Sequence, residues 1–214
     1  GVPGIAAQVT FSPHAANGGV LQQVATDVAK CKSSLLYSLA FLYQTPGVMR
    51  DTIQALIADP DRFVYGISDR KVGGIEVQKP DGNLAPVYAA ELSGNVPEPF
   101  RSEPVGGSGT RMHHKFVVVD FDKPTARVWF GSFNFSKGAD VDNGENLLLV
   151  ADRRIAVSFM GEALRIVDHY HFRVLQKESA QTPQKLALRR APKTAAEAPW
   201  WLEDYTDARK KRDR

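Results

Sequence analysis

The forty residues from Arg111 to Val150, RMHHKFVVVDFDKPTARVWFGSFNFSKGADVDNGENLLLV, constrain this chain more than any other stretch. Phe116 to Val119 is an unbroken apolar run rich in valine, which reads as a strand buried on both faces. Side chains alternate along a strand, so His113 and Lys115 point one way and His114 and Phe116 the other. An imidazole and an ammonium are therefore held side by side at the mouth of a hydrophobic element, and Asp120 closes it. Arg127 to Phe130 is a second β-prone run, followed by Gly131, Ser132 and Asn134. Glycine allows close backbone approach to a ligand, and a hydroxyl and a carboxamide two residues apart can reach one anion. A nucleophile or acid, a fixed positive charge and neutral donors suit chemistry on a phosphate diester.

These residues resemble a known family. His113, Lys115 and Asp120 in an H-x-K-x4-D pattern, followed by Gly131, Ser132 and Asn134 as G-S-x-N, are similar to the signature of the phospholipase D superfamily. Glu145, eleven residues beyond Asn134, falls where that family keeps a carboxylate against its histidine. Ten residues separate Asp120 from Gly131, more than the family's usual spacing. The extra residues lie in FDKPTA, a Pro-containing turn where insertions cost little. The resemblance implies a phospholipase D-like fold and catalysis through a phosphohistidine.

The 214 residues, 43% hydrophobic and 24% charged, describe a soluble globular domain with an ordinary core. No run approaches the roughly 18 apolar residues that span a bilayer. No signal-like segment precedes the first strand, and the compartment stays open. The chain starts at Gly1 rather than methionine, which is expected of a processed chain or a fragment. A net charge of +3 suits an anionic substrate but does not by itself argue nucleic acid. The single cysteine, Cys31, excludes an internal disulfide framework and reads as core packing.

The N-terminal third alternates in the manner of a layered sheet. Ile5 to Phe11 reads as a strand; Asn17 can cap a helix running through Val20, Val24 and Val28 to Cys31. Ser34 to Leu42 is a long apolar strand. Thr45 can cap the next helix, with Pro46 at its first position and Ile53, Leu56 and Ile57 buried. Arg62 to Ile67 is a third strand. This β-α-β-α-β order predicts a layered α/β/α fold with a mixed, mostly parallel central sheet. His14, after Ser-Pro, reads as a loop residue.

Between Lys71 and Thr110 the pattern weakens into turn-rich sequence, with a short strand expected at Val87 to Ala90. Asp152 can cap a long helix burying Ile155, Phe159, Leu164, Val167 and Tyr170. His169 and His171, two apart, cannot share a helix face, which argues against a metal pair. No metal-ligand cluster is recognisable, and a reaction without metal or cofactor is expected. From Ser179 the composition shifts to Pro, Ala and mixed charge ending in RKKRDR. The boundary predicts a catalytic domain over 1–178 and a tail over 179–214. Trp200 and Trp201 in that tail suit a docking segment, and its basic end reads as solvated or able to touch phosphate.

The resemblance also fixes the stoichiometry. Superfamily members use two copies of the motif, one histidine attacking phosphorus and the other protonating the departing oxygen. Of the five histidines here, His14, His113, His114, His169 and His171, only His113 has lysine two positions on. The chain is therefore expected to carry half a site. A homodimer partner or a missing half of the same protein would supply the rest, with a lean toward the missing half. His113 is the nucleophile or general acid. Lys115, Ser132 and Asn134 bind phosphate, Glu145 orients the imidazole, and Asp120 completes the motif at the strand end. His114 is the close competitor of His113, its opposite facing giving it a packing role. Three readings follow: a phosphodiesterase hydrolysing or transferring phospholipid head groups, a single-motif endonuclease working as a homodimer, and a non-catalytic scaffold half.

Overall fold

The computed structural model describes residues 4–15, 19–42, 46–69, 75–80, 84–87, 112–180 and 190–212. It divides into two compact units, Gly1–Val174 and Leu175–Arg214. The first is built on an eight-stranded sheet: β1 (Ala6–Phe11), β2 (Ser34–Leu39), β3 (Phe63–Asp69), β4 (Ile75–Gln78), β5 (Leu84–Val87), β6 (Lys115–Val119), β7 (Arg127–Gly131) and β8 (Asn146–Ala151). Their order across the sheet is β1-β8-β7-β6-β2-β3-β4-β5. The helices are α1 (Leu21–Val28), α2 (Val48–Ala58), the short α3 (Lys137–Val141) and α4 (Arg153–Ala180).

Strand alternation sorts the core into two clusters, one on each face of the sheet. Leu35, Tyr37, Leu39, Val117 and Val119 join α1 and α2 through Val24, Val28, Met49 and Ile53. Leu36, Phe116, Val118 and Val128 join α4 through Ala156, Ala163, Ile166 and Val167. All six residues of β2 and all five of β6 are buried, as expected of central strands covered on both faces. Each such aliphatic side chain contributes about 1.5–3 kcal/mol by leaving water. The expected buried face of α4 forms, with Val167 buried and Ile155, Phe159, Leu164 and Tyr170 packed at its margin. Asp152 caps that helix, accepting from the backbone N–H of Arg154 at 2.9 Å and Ile155 at 3.2 Å.

The layered α/β fold is as the sequence predicts, but the sense of its strands is not mostly parallel. Of the seven pairings among the described residues, only β2 with β3 is parallel, joined across α2. β6, β7 and β8 form an antiparallel meander, because the connections between them hold no helix long enough to carry the chain back along the sheet. This meander is inserted between β1 and β2. β1 points the same way as β2 but pairs with β8 at the sheet edge.

Three further expectations shift. Asn17 and Thr45 lie outside the described residues; α1 starts without a side-chain cap of its own, and α2 begins at Val48 with Gly47, not Pro46, before it. The short strand expected near Val87 is found at Leu84–Val87 and pairs with β4, which the sequence pattern did not show. Residues 88–90 and the GGSG before the motif lie outside the described residues.

In the second unit, α5 (Leu202–Thr206) and α6 (Ala208–Arg212) follow Trp200 and Trp201, whose rings meet edge to face at 5.3 Å. Lys210 pairs with Glu203 at 3.3 Å and Asp204 at 3.4 Å, so part of the basic terminus is neutralised by its own segment. Among the described residues, no helix is long and apolar enough to cross a membrane.

Candidate active site

The sheet register gathers the motif at one end. Leu39 at the end of β2 faces Lys115 at the start of β6, and Phe116 faces Phe130 just before β7 ends at Gly131. Gly131 faces Leu147, and Phe11 at the end of β1 faces Asn146. His113, Lys115, Ser132, Asn134 and Glu145 therefore all lie at the same end of the strands.

Lys115 is the electrostatic centre of this cluster. It is only 8% exposed, and Nζ donates to the His113 carbonyl at 2.9 Å. That is the hydrogen bond its ammonium makes among the described residues, and it forms no ion pair there. Burial pushes its pKa down, opposed by the negative field of Glu145. His113 is exposed just outside the strand. His114 lies against Phe116, ring centroids 6.2 Å apart at 68°, on the α4 side of the sheet. Desolvation lowers its pKa against the pull of Glu162 on α4. His114, like His113, is exposed and precedes β6.

The turn after β7 is set by backbone. Gly131 has φ +151°, and a Cβ there would overlap the Asn146 carbonyl oxygen, so only glycine lets β7 turn so close to β8. Asn146 then organises the turn. Its carbonyl accepts from the N–H groups of Ser132 and Phe133, both at 3.1 Å, and its own N–H donates to Ser132 Oγ at 3.0 Å. Phe133 and Phe135 are buried, packed edge to face at 5.8 Å, and Phe135 adopts φ +51°. Asn134 is held between these two anchors with Oδ1 buried and, among the described residues, without a hydrogen-bond partner.

Residues 31–166, well over half of the chain, match a family model described as "Cardiolipin synthase, PLD-like domain". The chain belongs to the phospholipase D-like family. Members of this superfamily are generally phosphodiesterases. Two curated proteins named Phospholipase D are similar over 48 residues: one from Rickettsia prowazekii (strain Madrid E), 42% identical, and one from Rickettsia felis (strain ATCC VR-1525 / URRWXCal2), 40% identical. Each match covers 22% of this chain and 22% of the relative, so the chain spans about a fifth of the length of the curated relatives it matches. Among solved structures, the chain is similar to the phospholipase D family member Nuc from Salmonella typhimurium, with 20% identity, TM-score 0.43 and coverage of 75% of this chain and 93% of that one. NucT from Helicobacter pylori is similar at 14% identity and TM-score 0.42, covering 77% and 96%.

Within this phospholipase D-like domain, Asp120 does not stand with the other motif residues. It closes β6 at the far end from Lys115, about 16 Å along the strand at roughly 3.3 Å per residue. Its fully buried carboxylate accepts from the N–H groups of Lys32 at 2.8 Å and Ser33 at 2.9 Å, and from Thr125 Oγ1 at 3.2 Å. Desolvation alone would raise its pKa, but the hydrogen bonds from Ser33, Lys32, Thr125 and Ser34 outweigh it and hold the carboxyl low. Asp120 thereby ties the entry of β2 to the exit of β6. Glu145 differs in another way. Its charge is felt at Lys115, while no hydrogen bond joins it to His113 among the described residues. Its backbone is pinned by Ser12, whose N–H donates to the Glu145 carbonyl at 3.0 Å and whose Oγ accepts from the Glu145 N–H at 3.1 Å.

Residues that motif reading did not single out build the surroundings. Asp140 on α3 accepts from the N–H groups of Val20 at 3.0 Å and Leu21 at 2.9 Å, capping α1 from another element. The same carboxylate meets His14 Nδ1 at 2.9 Å, which accounts for that histidine as a partner of Asp140. Asn146 was legible only as a neighbour of Glu145.

Proposed function

We propose that this chain carries one half-site of a phosphodiesterase that works through a phosphohistidine. The observation that carries the reading is Lys115: an ammonium withdrawn from water beside an exposed histidine, with no described carboxylate paired to it. An unpaired buried cation is costly, and a bound phosphate would neutralise it. The Asn134 carboxamide and Ser132 hydroxyl supply neutral contacts for the nonbridging oxygens.

His113 attacks phosphorus: a P–N bond forms, the P–O ester bond breaks, and the departing oxygen takes a proton from a second histidine. Water, deprotonated by that second histidine, then attacks phosphorus and releases His113. Another alcohol in place of water would make the reaction a transfer. With positive potential already supplied by Lys115, the developing charge is stabilised without a divalent ion. The second histidine comes from a partner copy or another part of a longer protein. The modest net charge of +3 puts a lipid diester ahead of nucleic acid as substrate.

The test is turnover of a chromogenic diester in excess EDTA. His113→Ala is expected to remove activity while leaving the circular dichroism spectrum unchanged, and His114→Ala to keep much of it. A dead His114→Ala beside an active His113→Ala would reverse the assignment, and activity restored by added magnesium or zinc would overturn the metal-independent route.

A further inference from the structure

The segment carrying His113 precedes β6 and has no ladder of its own, yet its backbone is held on both sides. On the far side the His113 carbonyl accepts from Lys115 Nζ. On the near side the Met112 N–H donates to Asp69 Oδ1 at 3.0 Å. Asp69 ends β3 and is 3% exposed, and Met112 beside it is 2% exposed. Met112 Sδ in turn accepts from Ser38 Oγ at 2.8 Å, inside β2. The peptide leading into the nucleophile is thus fastened to the ends of two neighbouring strands, and the imidazole itself stays exposed.

We infer that Asp69 is a positioning residue for His113, acting through the Met112 amide. This rests on the proposed role of His113 but not on the identity of the substrate. Burying a carboxylate is costly, and Asp69 nonetheless presents one oxygen to the Met112 N–H from inside the protein. Its placement gives a fixed acceptor, set by β3, that determines where the following residue begins. Lys115 cannot do this alone, because a lysine side chain is a long flexible tether. Attack on phosphorus requires the imidazole nitrogen within a few tenths of an ångström of line, and a misplacement of about 1 Å can cost on the order of a hundredfold in rate.

The experiment uses the full chain with Asp69→Ala, Asp69→Asn and Met112→Leu. Asn keeps an oxygen for the Met112 N–H, and Leu keeps the amide while removing the thioether contact. Two readouts are made. In the first, hydrogen exchange of the Met112 amide and 15N relaxation at His113 are followed by NMR, which needs no turnover. Asp69→Ala should expose the amide and loosen His113, with Asp69→Asn and Met112→Leu close to wild type. In the second, diester kinetics should show kcat falling about 10- to 100-fold in Asp69→Ala with KM little changed, because the phosphate contacts remain. Rescue by Asn is expected in both. An Asp69→Ala chain that folds, keeps its Met112 amide protected and turns over normally would overturn the inference. So would loss of activity seen only as a rise in KM. If Asp69→Ala does not fold, Asp69→Glu, which displaces the acceptor, takes its place with the same expectations. Failure of the phosphodiesterase reading is distinct: no His113-dependent turnover would be seen in wild type, while the Met112 amide would still respond to Asp69→Ala.

Discussion

At the scale of single residues, Asp120 and Lys115 show one motif dividing its labour between the two ends of a strand. Lys115 is buried and underused by the fold, while Asp120 is buried and saturated. Asp120→Ala should therefore cost about 3 kcal/mol of stability, from stranded donors at a charged acceptor, with little change in turnover per folded molecule. Urea titration alongside the diester assay checks this, and a fully folded but inactive Asp120→Ala would return the residue to the site. The pH dependence has a definite sign. A carboxyl whose pKa is lower folded than unfolded stabilises fully above its ordinary value of 3.8 and loses that contribution as pH falls through the lower one. Wild type and Asp120→Asn should differ most near neutrality and converge in strong acid. The motif's residue types were legible in the sequence. Their allotment to separate ends was not, because a spacing along a strand says how far apart two residues lie but not what meets them.

At the scale of elements, what the sequence revealed was local and what it concealed was long-range. The buried strand β6, the capped start of α4 at Asp152 and the apolar face of that helix follow from period and capping chemistry within a few residues. The order of strands does not. Apolar runs in β6, β7 and β8 look alike whether their neighbours run with them or against them, and only the short connections distinguish the two. Capping of α1 was hidden for the same reason, since Asp140 reaches its N-terminus from more than a hundred residues away. Asp140→Ala should lower stability by about 1–2 kcal/mol, as loss of a helix cap does, and should release His14. Thermal unfolding measures the first, and the His14 imidazole shift in NMR measures the second. Unchanged unfolding would mean that α1 is held by its packing alone.

At the scale of the whole molecule, a single H-x-K motif sets the question of assembly. If two copies complete one another, mixing His113→Ala with wild type should reduce activity more steeply than the wild-type fraction, toward its square for random pairing. If the complement lies in a longer protein, this chain should be monomeric and inactive alone. Sedimentation with the mixing assay separates the two, and a fully active monomer would defeat both. The placement of β1 has a consequence for the order of events in folding. Its partner β8 stands about 140 residues away, so closing that contact carries the largest entropic penalty in the sheet and should come late. Ser12, immediately after β1, latches the turn that bears Glu145. The end of the sheet that bears the motif is therefore completed by the slowest strand to arrive. Pulse-labelled exchange during refolding should find the Glu145 amide protected only after β6 and β7, and a chain trapped before that step would hold its lysine and histidine in register while still lacking a fixed carboxylate.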